Sequence, residues 1–313
     1  MPATLSLLIP TRQRTDCLRR LLDSLVATTA DCDALEVVLV VDADDAESRA
    51  FVYPELRLRR CMVSPGLTMG QLNRAGERVA TGELLMLLND DVIVRTPAWD
   101  RRVVAAFADY PDGILLVHVN DTLMQQALCT FPIVSRTYCR LADGICPPDY
   151  QRYCIDDHIE DVFNLLWALG RRRTVYLPDV VFEHLNAQIM PQGHREYHAD
   201  PAILAHDEPR FAALFAERKE LALRLLEHID GPSLRAYRWQ RQVLESLDDP
   251  LALRTPDRQR LPAGWSVPQR RPAGWPQRLS RCLQQRGVTG LAQAVLRRLR
   301  KPTLPSATPR ALS

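Results

Sequence analysis

Continuous apolar runs alternate along this chain with stretches of helical period. Thr4–Ile9, Glu36–Val41 and Leu84–Leu88 are apolar at almost every position, the pattern of strands buried on both faces. Leu58–Val63 alternates weakly and reads as another strand. After the first run, Leu18, Leu21, Leu22 and Leu25 recur at helical spacing behind Thr15 or Asp16 as cap. A second helix opens at Gly66 and Thr68, runs to about Ala80 and stops at Gly82. Strands alternating with helices of this length predict βαβ units and a largely parallel sheet.

The later chain continues the alternation. Pro97 suits the first turn of a helix through Trp99–Phe107. Ile114–Val119 reads as a strand, and Thr130–Val134, carrying Pro132, as an edge strand. Leu141–Arg152 reads as a loop. Asp156–Gly170 reads as a helix with Asp157 and Glu160 at capping-box spacing and Val162, Leu165, Leu166 and Leu169 as its apolar face. Thr174–Leu177 and Val180–Phe182 are short strands, with His184 directly after the second. Phe211–Ile229 is predicted as one amphipathic helix.

Three polar clusters fall where strands end: Pro10–Arg14, Asp42–Asp45 and Asn89–Asp91. Open α/β sheets bind ligands at the C-terminal ends of their strands. Adjacent carboxylates there repel one another and invite a divalent cation, whose ligands are oxygens shared with substrate phosphates. Read alone, Asn-Asp-Asp is better taken as a turn; the case for a ligand site rests on the clusters together.

Composition adds one fact. The net charge of +2 over 313 residues hides an asymmetry: 16 Arg and Lys stand against 4 Asp and Glu from Gly231 onward, and 24 against 34 before it. An acidic body therefore carries a basic tail. The tail repeats PAGW at 262–265 and 272–275, too few copies for a repeat fold. Leu279–Arg300 could form a basic amphipathic helix on an anionic membrane or a partner, and a solvated tail is the plain alternative. The eight cysteines form no CxxC pair, which argues against zinc. The start of the chain has no signal-peptide pattern and no apolar run reaches membrane-span length. A cytoplasmic protein is expected, with a peripheral contact to the inner membrane face through 279–300 as the variant. Nothing resembles a nucleic-acid-binding motif, so no nucleic acid is expected.

The motifs IPTRQR at 9–14, VVLVVDADD at 37–45, LNRAGERVATGELLMLLNDDV at 72–92, DDHIEDVFNLLWALG at 156–170 and VFEHL at 181–185 occur in a telling order. Together they resemble the family-2 glycosyltransferases over roughly residues 4 to 190. The resemblance implies an α/β GT-A fold, with a Rossmann-like, mostly parallel central sheet flanked by helices. With the change of character after Leu185 and the basic tail, the chain divides into a GT-A domain at 1–190, a helical extension packed on it at 191–230 and the tail at 231–313, which lies outside the resemblance.

The resemblance also implies an inverting, metal-dependent transfer of a sugar from a nucleotide donor, a UDP-sugar above others, to a hydroxyl on a glycan, lipid-linked or protein acceptor. By the resemblance, Pro10, Thr11, Arg14 and Asn73 flank the nucleotide, and Asp42 accepts from the base imide. Asn89, Asp90 and Asp91 match the DxD-type motif, with Asp91 and His184 holding Mn2+ or Mg2+. Glu160 and Asp161 match the acidic pair that supplies the catalytic base, Asp161 being favoured. Leu72 stands where many members carry an Arg, which removes one pyrophosphate contact. Acceptor candidates between strands are Asn120, Asp121, Arg136 and Asp149.

Two other readings compete. A non-catalytic member would keep the fold and act through its basic tail. A sugar-phosphate nucleotidyltransferase would carry a glycine-rich loop after the first strand, and PTRQRTD has no glycine.

Overall fold

The computed structural model describes residues 5–185, 200–232 and 234–247. The strands are β1 (Leu5–Thr11), β2 (Leu35–Asp42), β3 (Arg57–Val63), β4 (Leu84–Leu87), β5 (Val92–Val94), β6 (Leu116–Asn120), β7 (Ile133–Ser135) and β8 (Thr174–His184). They form one sheet in the order β3-β2-β1-β4-β7-β6-β8-β5. The half from β3 to β4 is parallel throughout. Beyond it, β7 runs antiparallel to β4 and β6, and β5 antiparallel to β8.

The helices are α1 (Thr15–Thr28), α2 (Ala46–Ala50), α3 (Met69–Val79), α4 (Trp99–Ala108), α5 (Arg136–Leu141), α6 (Ile155–Ala168), α7 (Pro201–Ala213), α8 (Phe215–Asp230) and α9 (Leu234–Glu245). Two apolar layers sandwich the sheet. Leu7, Ile9, Val37, Leu39 and Val41 share one with Leu18, Leu21, Leu22 and Leu25 of α1 and Trp99 of α4. Leu8, Val38 and Val40 share the other with Tyr138 of α5, Phe163 of α6 and Leu225 of α8. Both faces of β1 and β2 are thus buried, which is why the sequence shows unbroken apolar runs there.

Several expectations change. Arg14 is the N-cap of α1 without a side-chain cap bond, so Thr15 and Asp16 lie inside the first turn. α6 begins after Cys154 at φ 64 and has no side-chain cap bond, so Asp157 and Glu160 are not a capping box. β7 lies inside the sheet, not at its edge. Pro132 stands just before the strand, where its missing N–H is not required, and its carbonyl accepts from Leu87 N at 3.1 Å. The two short strands expected after residue 173 are one, β8, with a register shift against β6. The expected helix 211–229 is broken at Leu214, the junction of α7 and α8. The segment 279–300 lies outside the described residues.

Buried polar groups fix the loops. Glu36 is 0% exposed and accepts from Ser6 Oγ at 2.6 Å, Thr81 N at 2.7 Å, Thr81 Oγ1 at 2.9 Å and Arg59 Nε at 2.9 Å. Burial would raise its pKa, but these donors pull it to about 2. Thr68 and Gln71 close a capping box on α3. Met69 N and Gly70 N then donate to the carbonyls of Gln151 and Tyr150 at 2.9 and 3.0 Å. A Cβ on Gly70 would stand 2.3 Å from the Pro147 oxygen, so only glycine permits this docking. The same loop is held from the other side by Asp207 of α7, 0% exposed, which accepts from the N–H groups of Gln151, Arg152 and Tyr153 at 2.9, 2.9 and 2.7 Å. No described helix is long and apolar enough to cross a membrane.

Candidate functional site

Parallel pairing brings the C-terminal ends of β1, β2 and β4 to one side of the sheet, and each ends in polar residues. Pro10 and Thr11 close β1 opposite Val40 and Val41 of β2. Asp42 follows at the end of β2. Arg12, a residue of the IPTRQR motif not singled out from the sequence, reaches across: its Nη1 donates to Asp42 Oδ2 at 2.8 Å and its Nη2 to Asp44 Oδ2 at 2.9 Å. The other Asp42 oxygen, Oδ1, is buried and has no hydrogen-bond partner among the described residues. Val63, in register with Asp42, also lines a groove of about 550 Å³ between β3 and α3, walled by Leu67, Gln71, Ala75 and Pro148.

Beyond β4 the chain runs through Asn89, Asp90 and Asp91 into β5. β5 pairs antiparallel with β8 so that Val92 lies opposite His184, and Leu185 N donates to the Asp91 carbonyl at 2.8 Å. This register, and not proximity in sequence, sets His184 beside Asp91. His184 Nε2 is 3.3 Å from Asp91 Oδ1 and 3.2 Å from Asn89 Nδ2, and Phe131 packs edge-on against its ring. Arg14 bridges the two carboxylates: Nη1 is 3.0 Å from Asp90 Oδ1 and Nη2 is 3.2 Å from Asp91 Oδ2. Thr11 Oγ1 donates to Asp90 Oδ2 at 2.9 Å. Burial pushes the Asp90 carboxyl above its ordinary range, only partly offset by Arg14 and Thr11. Burial acts on Asp91 in the same direction, but His184 and Arg14 outweigh it and hold that carboxyl below its ordinary range.

Thr11, Arg14, Asp42, Asn89, Asp90, Asp91 and His184 therefore lie on one side of the sheet, at or just beyond the C-terminal ends of β1, β2, β4 and β8. Asp91 Oδ1 is the atom that bears on a metal. It is buried and makes no well-formed hydrogen bond, its only near polar neighbour among the described contacts being His184 Nε2 at 3.3 Å. An orphaned anionic oxygen beside an imidazole nitrogen is a donor set for a hard or borderline cation. The described residues contain no group of three or more His, Cys, Asp or Glu side chains able to enclose a metal. Asp91 and His184 could supply two ligands to such a cation.

Asn73 does not join this group. It is buried in α3.

Asp161 requires a larger correction. It is 0% exposed and accepts from Arg218 Nε of α8 at 2.6 Å. Arg218 is itself 0% exposed, donates from Nη1 to the Phe211 carbonyl at 2.6 Å and lies 3.9 Å from the Phe211 ring centroid. A carboxylate sealed in this way joins α6 to α8 and is out of reach of an acceptor hydroxyl. Glu160 is only half-buried, and its Oε2 accepts from Cys129 N at 3.3 Å, two residues before Phe131.

The other acceptor candidates also have structural duties. Asp121 accepts from the N–H groups of Leu123, Met124 and Gln125, and Asn120 Nδ2 donates to the Pro178 carbonyl. Arg136 donates to the carbonyls of Ala80 and Gly82, at the opposite end of β4 from the carboxylates. Asp149 pairs with Arg210.

Comparison with known proteins bears on the fold that carries these residues. Residues 6–128 match the model of Glycosyl transferase family 2. No curated protein matches the chain. The mannosyltransferase PcManGT from Pyrobaculum calidifontis, in complex with GDP-Man and Mn2+, is similar at 16% identity over 96% of this chain and 88% of that one, with a TM-score of 0.50. S. aureus TarS 1-349 in complex with UDP-GlcNAc is similar at 15% identity over 80% of this chain and 72% of that one, with a TM-score of 0.50. At such identities the likeness establishes the fold, GT-A, with a curled mixed sheet between helices.

Proposed function

We propose, on the premise that the chain carries a family-2 glycosyltransferase domain and is an enzyme of that class, an inverting transfer of a sugar from a nucleotide donor to an acceptor hydroxyl. The observation that carries this reading is the orphaned Asp91 Oδ1 facing His184 at 3.3 Å, at the strand ends that also carry Asp42. The unsatisfied Asp42 Oδ1 accepts from a base imide, which favours uracil, and the Val63–Leu67 side of the neighbouring groove flanks the base. A divalent cation on Asp91 and His184, Mn2+ or Mg2+, supplies charge neutralisation at the departing diphosphate. The likeness to one structure holding GDP-Man with Mn2+ and another holding UDP-GlcNAc supports both donor class and cation.

Glu160 is the base. It belongs to the acidic pair at 160–161, is half-buried where Asp161 is fully buried, and faces the 129–131 segment whose Phe131 touches His184. Removing the acceptor proton as the oxygen attacks the anomeric carbon takes one carboxylate and one displacement, which inverts the centre.

The test is binding of UDP- and GDP-sugars with and without Mn2+. Asp91→Ala should abolish the metal-dependent part and Asp42→Ala should weaken binding of every uridine donor. Glu160→Gln should keep donor binding and lose transfer. Failure of all nucleotide sugars to bind rejects the function. Full transfer by Glu160→Gln, with loss in Asp157→Asn, rejects Glu160 alone.

A further inference from the structure

Asp90 and Asp91 present four carboxylate oxygens, and three are committed. Thr11 and Arg14 take both oxygens of Asp90, and Arg14 takes Asp91 Oδ2. Only Asp91 Oδ1 lacks a hydrogen bond. Arg14 achieves this with one planar fork across two side chains, a geometry that a lysine point charge does not reproduce. Its side chain is 45% exposed, so it can meet an incoming ligand as well as the carboxylates.

We infer that Arg14 is the resident counter-cation of the Asp90–Asp91 pair and makes divalent-cation binding conditional on the nucleotide. The inference rests on Asp91 being a metal ligand. Without nucleotide, the guanidinium balances the pair, occupies Asp90 and repels a second cation, leaving one carboxylate oxygen and one imidazole nitrogen for the metal. A nucleoside diphosphate brings the negative charge that makes room for both cations. The two ligands are then linked, each raising the other's affinity by the same factor, commonly about 5- to 150-fold.

The experiment measures Mn2+ affinity by the paramagnetic resonance of free Mn2+, on the full chain, with and without UDP. Arg14→Gln should bind Mn2+ alone about tenfold more tightly than the wild type, and UDP should then add much less, a loss of coupling within the usual range. Arg14→Lys, which keeps the charge but not the fork, should fall between the wild type and Arg14→Gln for Mn2+ alone. The double variant Arg14→Gln/Asp90→Asn should lose the gain, because Asp90 is the ligand that Arg14 had occupied. Equal or weaker Mn2+ binding by Arg14→Gln, at an unchanged melting temperature, overturns the inference. Asp91→Asn separates the two readings: if it abolishes Mn2+ binding while Arg14→Gln changes nothing, the gate fails and the metal site stands. If Mn2+ binds Asp91→Asn as it binds the wild type, the metal site fails, and the gate with it.

Discussion

Two Arg–Asp arrangements in this molecule use the same chemistry to opposite ends. Arg218 and Asp161 are both 0% exposed, and the guanidinium is packed against the Phe211 ring. Arg14 is 45% exposed in its side chain and leaves a buried oxygen of its partner unsatisfied. The first pair is closed and holds α6 to α8. The second is open on the side where ligand oxygens would arrive. The difference is one of access: each pair keeps one buried polar atom without a hydrogen bond, Arg218 Nη2 in the first and Asp91 Oδ1 in the second, but only the second pair has a guanidinium that solvent and ligands can reach.

The comparison can be broken most directly at the closed pair. Arg218→Ala should cost about 3–5 kcal/mol in urea unfolding, because the Asp161 charge would stay buried alone. Replacing both partners by apolar residues, Arg218→Met with Asp161→Leu, should recover most of that loss. A cost below about 1 kcal/mol for Arg218→Ala would place it with exposed pairs and erase the distinction.

Glu36 is a second closed carboxylate, buried with both oxygens engaged. Glu36→Gln should cost about 1–3 kcal/mol by leaving buried donors poorly matched. Its folded pKa of about 2 lies below the ordinary 4.5, so the ionised form stabilises the fold above pH 4.5. That contribution should fade as pH falls from 4.5 toward 2, and Glu36→Gln should flatten this part of the stability profile.

Smaller effects belong to the open side. Thr68→Ala removes the α3 cap and should cost about 1 kcal/mol by thermal melting. Arg14→Gln should cost under about 1 kcal/mol, its consequence appearing in cation binding instead.

What the sequence discloses follows the same division. β1, β2 and β4 are legible because burial on both faces demands apolar residues at successive positions. The strand-end clusters are legible only together: each alone reads as a turn, and it is their recurrence after three buried runs that marks one side of the sheet. α5 is not legible: its six residues, RTYCRL, carry two arginines and span under two turns. The break at Leu214 hides inside one amphipathic pattern. Glu160 and Asp161 are indistinguishable as neighbours in a helix. What separates them is Arg218, 57 residues further on, and no local pattern signals that meeting. Arg12 stood inside a recognised motif, but its reach to Asp42 depends on the β1–β2 register.

The hold of Asp207 on Gln151, Arg152 and Tyr153 has a consequence for biosynthesis. On the ribosome the chain emerges from its N-terminus, so the 147–153 segment appears more than fifty residues before the carboxylate that satisfies it. Until Asp207 clears the exit tunnel, three backbone donors rely on water, and the platform under α3 is unfinished. A nascent chain halted just short of Asp207 should therefore be cut by protease within 147–153, and one extended past α8 should resist.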